Sequence, residues 1–217
     1  MEWMWCGLLM LLAYLLGSIP TGYTAAKLLK GIDIRDEGSG SIGATNVLRT
    51  LGKGPAVVVL LVDTLKGVGA IALASAFYAV IPPDSLPLDW QPWLAAAAGI
   101  MAILGHSRSI WLNFAGGKSV ATSLGVLLAM SLPVGLSALV IFLAVLGISR
   151  IVSLSSMTAA VAVAVLSFIF PQPLPYDLFG LAAGIYVIWR HRSNIERLLS
   201  GTEPQIGQKL PTQTVSE

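Results

Sequence analysis

The chain opens with Trp3-Met-Trp-Cys-Gly-Leu-Leu-Met-Leu-Leu-Ala-Tyr-Leu-Leu-Gly-Ser-Ile-Pro-Thr-Gly-Tyr-Thr-Ala-Ala-Lys-Leu-Leu29, and Lys27 is its only charge. About 20 apolar residues cross a hydrocarbon core of roughly 30 Å, so this run is long enough to span a bilayer. A secretory leader needs a basic start and a small-residue cleavage site, whereas only Met1-Glu2 precedes the run here. It reads as a retained first transmembrane helix. The rest of the chain agrees. Of 217 residues, 55% are apolar and only 11% charged, and the mean hydropathy is +0.80. Soluble domains carry about 25% charged residues, so a water-facing surface cannot be built from this composition. The single cysteine, Cys6, excludes an internal disulfide.

Working outward, six further apolar segments follow, at Pro55–Ile81, Pro92–Leu104, Val120–Met130, Pro133–Ile148, Leu154–Phe170 and Tyr176–Trp189. The expected fold is therefore all-α: a polytopic membrane helix bundle of about seven transmembrane segments. The third and fourth segments are short and flank a Gly-rich loop. They are either complete helices with displaced ends or half-helices meeting inside the membrane, where bare backbone must be covered by protein or face a wet cavity. A five-segment arrangement that drops one segment on each side of a loop is the main rival. Frequent Gly, Ala and Ser allow close helix approach and support a compact bundle. Residues 1–201 read as one integral-membrane domain, and 202–217 as a polar tail expected to be disordered.

The cations sort by side. Lys27, Lys30, Arg35, Arg49 and Lys53 surround the first connection, Arg108 and Lys118 lie in the third, and Arg150 in the fifth. Arg190, Arg192, Arg197 and Lys209 follow the seventh segment, so 12 of the 13 basic residues share one side. The other side carries Glu2, Asp84, Asp89 and Asp177. The positive-inside rule then predicts an external N-terminus and a cytoplasmic C-terminus.

The polar stretches gather on that basic side. The first connection interleaves Gly38, Gly40 and Gly43 with Ser39, Ser41, Thr45 and Asn46 and ends in Arg49. Glycines permit tight turns that aim successive N–H groups at an anion, and an Arg fork matches phosphate oxygens. Read alone, this stretch is equally a flexible polar loop. The third connection carries Gly116-Gly117-Lys118-Ser119 at a helix start, where free N–H groups and the helix dipole favour phosphate. A snorkelling lysine gives the same pattern. It is not a Walker A loop, because Leu112 stands where that motif requires glycine, and this argues against nucleotide hydrolysis. Asp63 and Lys66, three apart inside the second segment, read as an intramembrane ion pair. Ser153 follows Arg150, and His191 and Asn194 share a helix face ahead of Glu196. Together these groups describe a pocket for phosphate-bearing substrates. No metal-ligand spacing is present, and no metal, cofactor or nucleic-acid partner is expected.

At these residues the chain resembles the PlsY family, the acyl-phosphate:glycerol-3-phosphate acyltransferases of bacterial phospholipid synthesis. The matching stretches are GSIPTGY (17–23), GSGSIGATNVLRTLGKG (38–54), VDTLKG (62–67), GH (105–106), GGKSVAT (116–122), SLSS (153–156) and RHRSNIERL (190–198). Two places depart from the usual pattern, Ser41 where GSGN is common and Ser119 where GGKG is common. The resemblance implies transfer of an acyl group from acyl phosphate to the 1-hydroxyl of glycerol 3-phosphate. The products are lysophosphatidate and phosphate, with no covalent enzyme intermediate. It implies catalytic roles for Ser39, Arg49, His191 and Asn194. Phosphate contacts would come from Gly38, Gly40, Ser41, Thr45, Asn46, Gly116, Gly117, Lys118, Ser119 and Ser153, with structural support from Asp63, Lys66 and Glu196. It further implies a multi-pass protein of the bacterial cytoplasmic membrane, its site facing the cytoplasm and no oligomer required. The proton acceptor is either His191 or the substrate's own phosphate, and the second is favoured.

Two other classes compete on the residues alone. A phosphate or anion transporter could use the same basic loops, but would place polar groups near the midplane, often in related repeats. A CoA-dependent acyltransferase would carry a His-x4-Asp pair, whereas the residues five after His106 and His191 are Trp111 and Glu196.

Overall fold

A computed structural model describes residues 2–81 and 86–208. Among them the chain forms ten α-helices and no β-strand: α1 (Glu2–Ser18), α2 (Thr21–Lys30), α3 (Ala44–Leu51), α4 (Lys53–Val80), α5 (Gln91–Ser107), α6 (Val120–Met130), α7 (Leu132–Ser149), α8 (Val152–Ile169), α9 (Leu174–Arg190) and α10 (Arg192–Leu199). Each of the seven apolar segments is helical. Four stretches are long and apolar enough to cross a membrane: Trp3–Lys30, Lys53–Val80, Leu132–Ser149 and Val152–Ile169.

The opening run is not one continuous helix. Pro20 has no N–H to bond the carbonyl four residues back, and the chain breaks between Ser18 and Thr21. The two short segments resolve differently. α5 is just over a turn longer than the expected Pro92–Leu104 and runs from Gln91 to Ser107. α6 has only 11 residues, about 16 Å of helix at 1.5 Å per residue, or half a hydrocarbon core.

Close approach organises the packing. α4 and α6 cross through reciprocal glycines: a Cβ at Gly67 would overlap the Thr122 carbonyl oxygen, and one at Gly125 the Thr64 carbonyl oxygen. α1 and α5 run parallel. Trp3 and Trp90 meet with ring centroids 5.9 Å apart at one end, and the Ser109 hydroxyl donates to the Ser18 carbonyl at 2.6 Å at the other. The main apolar core, including Leu9, Ala70, Ile103, Val126 and Phe179, lies among α1, α4, α5, α6 and α9. A smaller core of Ala26, Ile34, Val47 and Val59 seats α2 and α3 on α4. The connectivity brings the C-termini of α1, α5, α7 and α9 and the N-termini of α4, α6 and α8 to one end. All four polar stretches are joined there.

Candidate active site

The loop at 33–43 is built around Asn46. This side chain is buried. Its Oδ1 accepts the Ser39 N–H at 2.9 Å, and its Nδ2 donates to the carbonyls of Ile34, Glu37 and Ser41 at 3.0, 2.9 and 2.8 Å. The loop can wrap Asn46 because Gly38 takes φ +57°, a left-handed conformation that costs glycine little. Any Cβ at Gly38 would also strike Asn46 Oδ1. The wrapping leaves Ser39 exposed at the loop's rim. It also turns the start of α3, whose first N–H groups lack intrahelical acceptors, toward a cavity beside Arg49.

The second wall is Gly116–Ser119. Arg190 donates to the Gly117 and Gly116 carbonyls at 2.8 and 3.3 Å, and the Gly117 N–H bonds the His106 carbonyl at 3.1 Å. Lys118 leaves this turn pointing into the cavity and hydrogen-bonds Asn194 Oδ1. Burial pushes Lys118 down to about 8, with Arg197 adding to the effect.

The third wall comes from α8, α9 and α10. Ser153 donates to Glu203 Oε1 at 2.6 Å, and Asn194 Nδ2 to the same oxygen at 2.6 Å. Arg197 closes on Oε2 at 2.7 Å. Burial alone would raise the Glu203 pKa, but these hydrogen bonds and the Arg197 charge outweigh it and hold the carboxylate low. His191 is buried, and its Nδ1 lies 2.7 Å from the Val187 carbonyl. A carbonyl only accepts, so Nδ1 carries the hydrogen and Nε2 is left as an acceptor. Burial pushes His191 down to about 4, which keeps it neutral near pH 7.

These three walls enclose one end of a cavity of about 480 Å³. Below them it turns apolar and runs between α4, α6, α7 and α8, along Leu124, Leu127, Ala138, Phe142, Ala160 and Val163. From Ser153 to Val163 is about 15 Å of helix, half a hydrocarbon core. Leu60, Leu61 and Leu143 line this shaft and are also 46%, 56% and 54% exposed, so it opens sideways between α4 and α7.

The sequence pattern of the family described as glycerol-3-phosphate acyltransferase matches residues 7–201. The chain belongs to that family. It is 62% identical to the glycerol-3-phosphate acyltransferase of Trichormus variabilis, over 96% of this chain and 95% of that one. To that of Rippkaea orientalis it is 59% identical, over 97% of each. It also resembles two crystal structures of PlsY, an integral membrane glycerol 3-phosphate acyltransferase, at 38% identity. The glycerol 3-phosphate form gives a TM-score of 0.83 over 93% of this chain and 96% of that one. The lysophosphatidic acid form gives 0.81 over 93% and 95%. The fold is thus that of an integral membrane protein of the PlsY family.

Most of the residues expected at the site are brought together. Ser39, Ser41, Thr45, Asn46, Arg49, Asp63, Lys118, Ser153, His191 and Asn194 all line the cavity. Three do something other than expected. Asn46 spends its amide on the loop backbone. Ser119 adopts φ +61°, a conformation that suits the glycine common there in the PlsY family, and its hydroxyl donates to the Ile103 carbonyl at 2.9 Å rather than facing the cavity. Glu196 is exposed, and among the described residues its side chain has no hydrogen-bond partner.

The bracing contacts come instead from Glu203, in the tail whose polar composition suggests disorder. The start of that tail is ordered: the N–H groups of Thr202 and Glu203 bond the Arg197 carbonyl at 2.8 and 3.1 Å, and the Ile206 N–H bonds the Arg150 carbonyl at 2.8 Å. The signal available was a lone carboxylate just past a turn at Gly201, close to Arg190, Arg192 and Arg197. Lys209, counted among the basic-side cations, lies outside the described residues, as does Asp84.

Proposed function

We propose that the chain acylates the 1-hydroxyl of glycerol 3-phosphate, taking the acyl group from acyl phosphate and releasing lysophosphatidate and inorganic phosphate. The observation that carries this reading is the two-part cavity. Its mouth combines Arg49, Lys118 and the start of α3, which suit phosphate oxygens. Its shaft is apolar and open to the flank of the bundle, which suits a fatty tail that stays in the membrane.

Acyl phosphate is a mixed anhydride with a good leaving group, so the reaction asks mainly for alignment and for cations on both phosphates. The glycerol hydroxyl attacks the acyl carbon, the bond from that carbon to the phosphate oxygen breaks, and phosphate departs. Neutral His191 offers Nε2 to the attacking hydroxyl and orients it. A pKa of about 4 makes His191 a weak final acceptor. The proton passes to a phosphate oxygen, whose second pKa near 6 suits it. None of the hydroxyls lining the cavity is hydrogen-bonded to His191, and Ser153 is committed to Glu203. This supports direct transfer without an acyl-enzyme. The basic loops gathered at one end support a site facing the cytoplasm, with the N-terminus outside.

The test is purified protein in lipid nanodiscs with labelled glycerol 3-phosphate and either palmitoyl phosphate or palmitoyl-CoA. Lysophosphatidate from palmitoyl phosphate is expected. Product from the CoA donor alone would overturn the donor assignment, and product from neither would overturn the activity.

A further inference from the structure

Asp63, Lys66 and His106 lie beneath the phosphate-loop wall, and the reaction as described uses none of them. All three are buried, with Asp63 and Lys66 side chains each 3% exposed and an Nζ–Oδ1 separation of 2.7 Å. Taking two charges out of water costs several kcal/mol each, and apolar replacements often do as well for stability. A cluster that only held helices together has a cheaper alternative, so its specific contacts matter.

Lys66 spends its hydrogens on the broken end of α1. The break at Pro20 takes the Thr21 N–H away to Ile19, leaving the Gly17 carbonyl without its helical donor. Lys66 Nζ reaches the Gly17 and Ile19 carbonyls at 3.3 and 2.8 Å, supplying a cation to a helix C-terminus. It also lies 3.2 Å from His106 Nδ1. His106 in turn is the bed of the phosphate loop. Its carbonyl accepts the Gly117 N–H, and its ring edge lies so close to Gly117 that a Cβ there would overlap Nε2. One residue further on, Lys118 enters the cavity. The chain of contacts runs without a gap from the α1 break through Lys66 and His106 to Gly117.

We propose that Asp63, Lys66 and His106 are positioning residues that fix the height of the Gly116–Lys118 turn, and so set how tightly the site holds phosphate. This rests on the acyltransferase reading for its kinetic consequence, but not for its phosphate-binding consequence. In the His106→Leu variant the ring edge under Gly117 is lost. The KM for the substrate whose phosphate sits on that turn rises about tenfold or more, in line with the sensitivity of oriented groups to small displacements. The KM for the other substrate stays within about twofold. His106→Asn, whose Oδ1 can still accept from Lys66, recovers part of the loss. The paired Asp63→Asn/Lys66→Met variant removes both charges without stranding either, and reproduces the selective rise even if Lys66→Met alone fails to fold.

Inorganic phosphate provides a readout that does not depend on turnover. Its Kd by isothermal titration calorimetry rises in parallel for His106→Leu, while the detergent melting midpoint stays near that of the unaltered protein. If kcat instead falls and both KM values rise alike as the melting midpoint drops, or if phosphate binds the variants as tightly as the unaltered protein, the inference is overturned. An unaltered protein that binds phosphate but makes no lysophosphatidate would overturn the acyltransferase reading and leave this one standing.

Discussion

Lys118 is where acidity meets binding. With its pKa pushed down to about 8 by burial, it is mostly charged at pH 7 and loses its proton as pH rises through 8. On the proposed reading a phosphate bound beside Lys118 holds the charge in place, so the loss belongs to the free protein. We therefore expect kcat/KM to fall above about pH 8 while kcat holds, a contrast that full pH profiles of both constants would reveal. Lys118→Arg should flatten that alkaline limb, because guanidinium stays charged throughout. The same depression has a stability consequence of known sign. The unfolded chain binds more protons between pH 8 and the ordinary lysine value of 10.5, so this group's penalty is full below pH 8 and eases as pH rises. Ser39→Ala, Arg49→Ala and His191→Ala should each cost about a hundredfold or more in kcat/KM, as losses of single transition-state contacts do, with the melting midpoint little changed. Glu203→Ala should act differently. It takes the shared carboxylate acceptor from three donors, Ser153, Asn194 and Arg197, each charge-assisted bond worth about 1.5–3 kcal/mol, so the thermal midpoint should drop along with activity. At this scale the sequence is legible in residue type more than in direction. Arg49, Lys118 and Asn194 face the cavity as their chemistry suggests, but nothing in the letters says that Asn46 turns inward to its own loop. The distance from Glu203 to Ser153 is equally invisible when 50 residues separate them along the chain.

The phosphate turn sits on the end of α6, so whatever moves α6 moves Lys118. α6 is held against α4 by Gly67 and Gly125, and a side chain at either must push the two backbones apart. Gly125→Leu should therefore cost about 1–3 kcal/mol in stability, typical of overpacking, and also weaken inorganic phosphate binding. A Gly147→Leu control, with open space around its site, should do neither. Unchanged phosphate affinity in the Gly125 variant would break the link drawn between helix contact and loop position. Helix existence reads well at this scale, since hydrophobic runs and Pro or Gly punctuation determine it. The break at Pro20 stayed hidden because apolarity continues across it to Leu29, and a membrane tolerates a proline wherever a neighbour re-satisfies the freed carbonyls, as Lys66 does here. The length of α6 was ambiguous for a related reason: the chain turns after only one residue, Ser131, and composition does not change there.

The one-sided placement of cations, legible in the sequence, coincides with the end where the polar part of the cavity lies. The shaft is a different matter, because it belongs to four helices at once. Its walls include the small residues Ala138 and Ala160, and on the proposed reading their size sets how far a tail can descend. Ala138→Phe and Ala160→Leu should shift donor preference toward shorter acyl phosphates, seen as a fall in kcat/KM for palmitoyl phosphate relative to a decanoyl donor. An unchanged ratio in both variants would mean the tail lies elsewhere. The side opening at Leu60, Leu61 and Leu143 has a further bearing, on how turnover ends. Lifting a sixteen-carbon tail into water costs about 12 kcal/mol, at roughly 0.8 kcal/mol per methylene. A gap in the flank at the depth of the tail removes that climb. On the proposed reading, departure is lateral drift within one leaflet, and the exit rate depends on the fluidity and crowding of the surrounding lipid more than on the cost of wetting the tail.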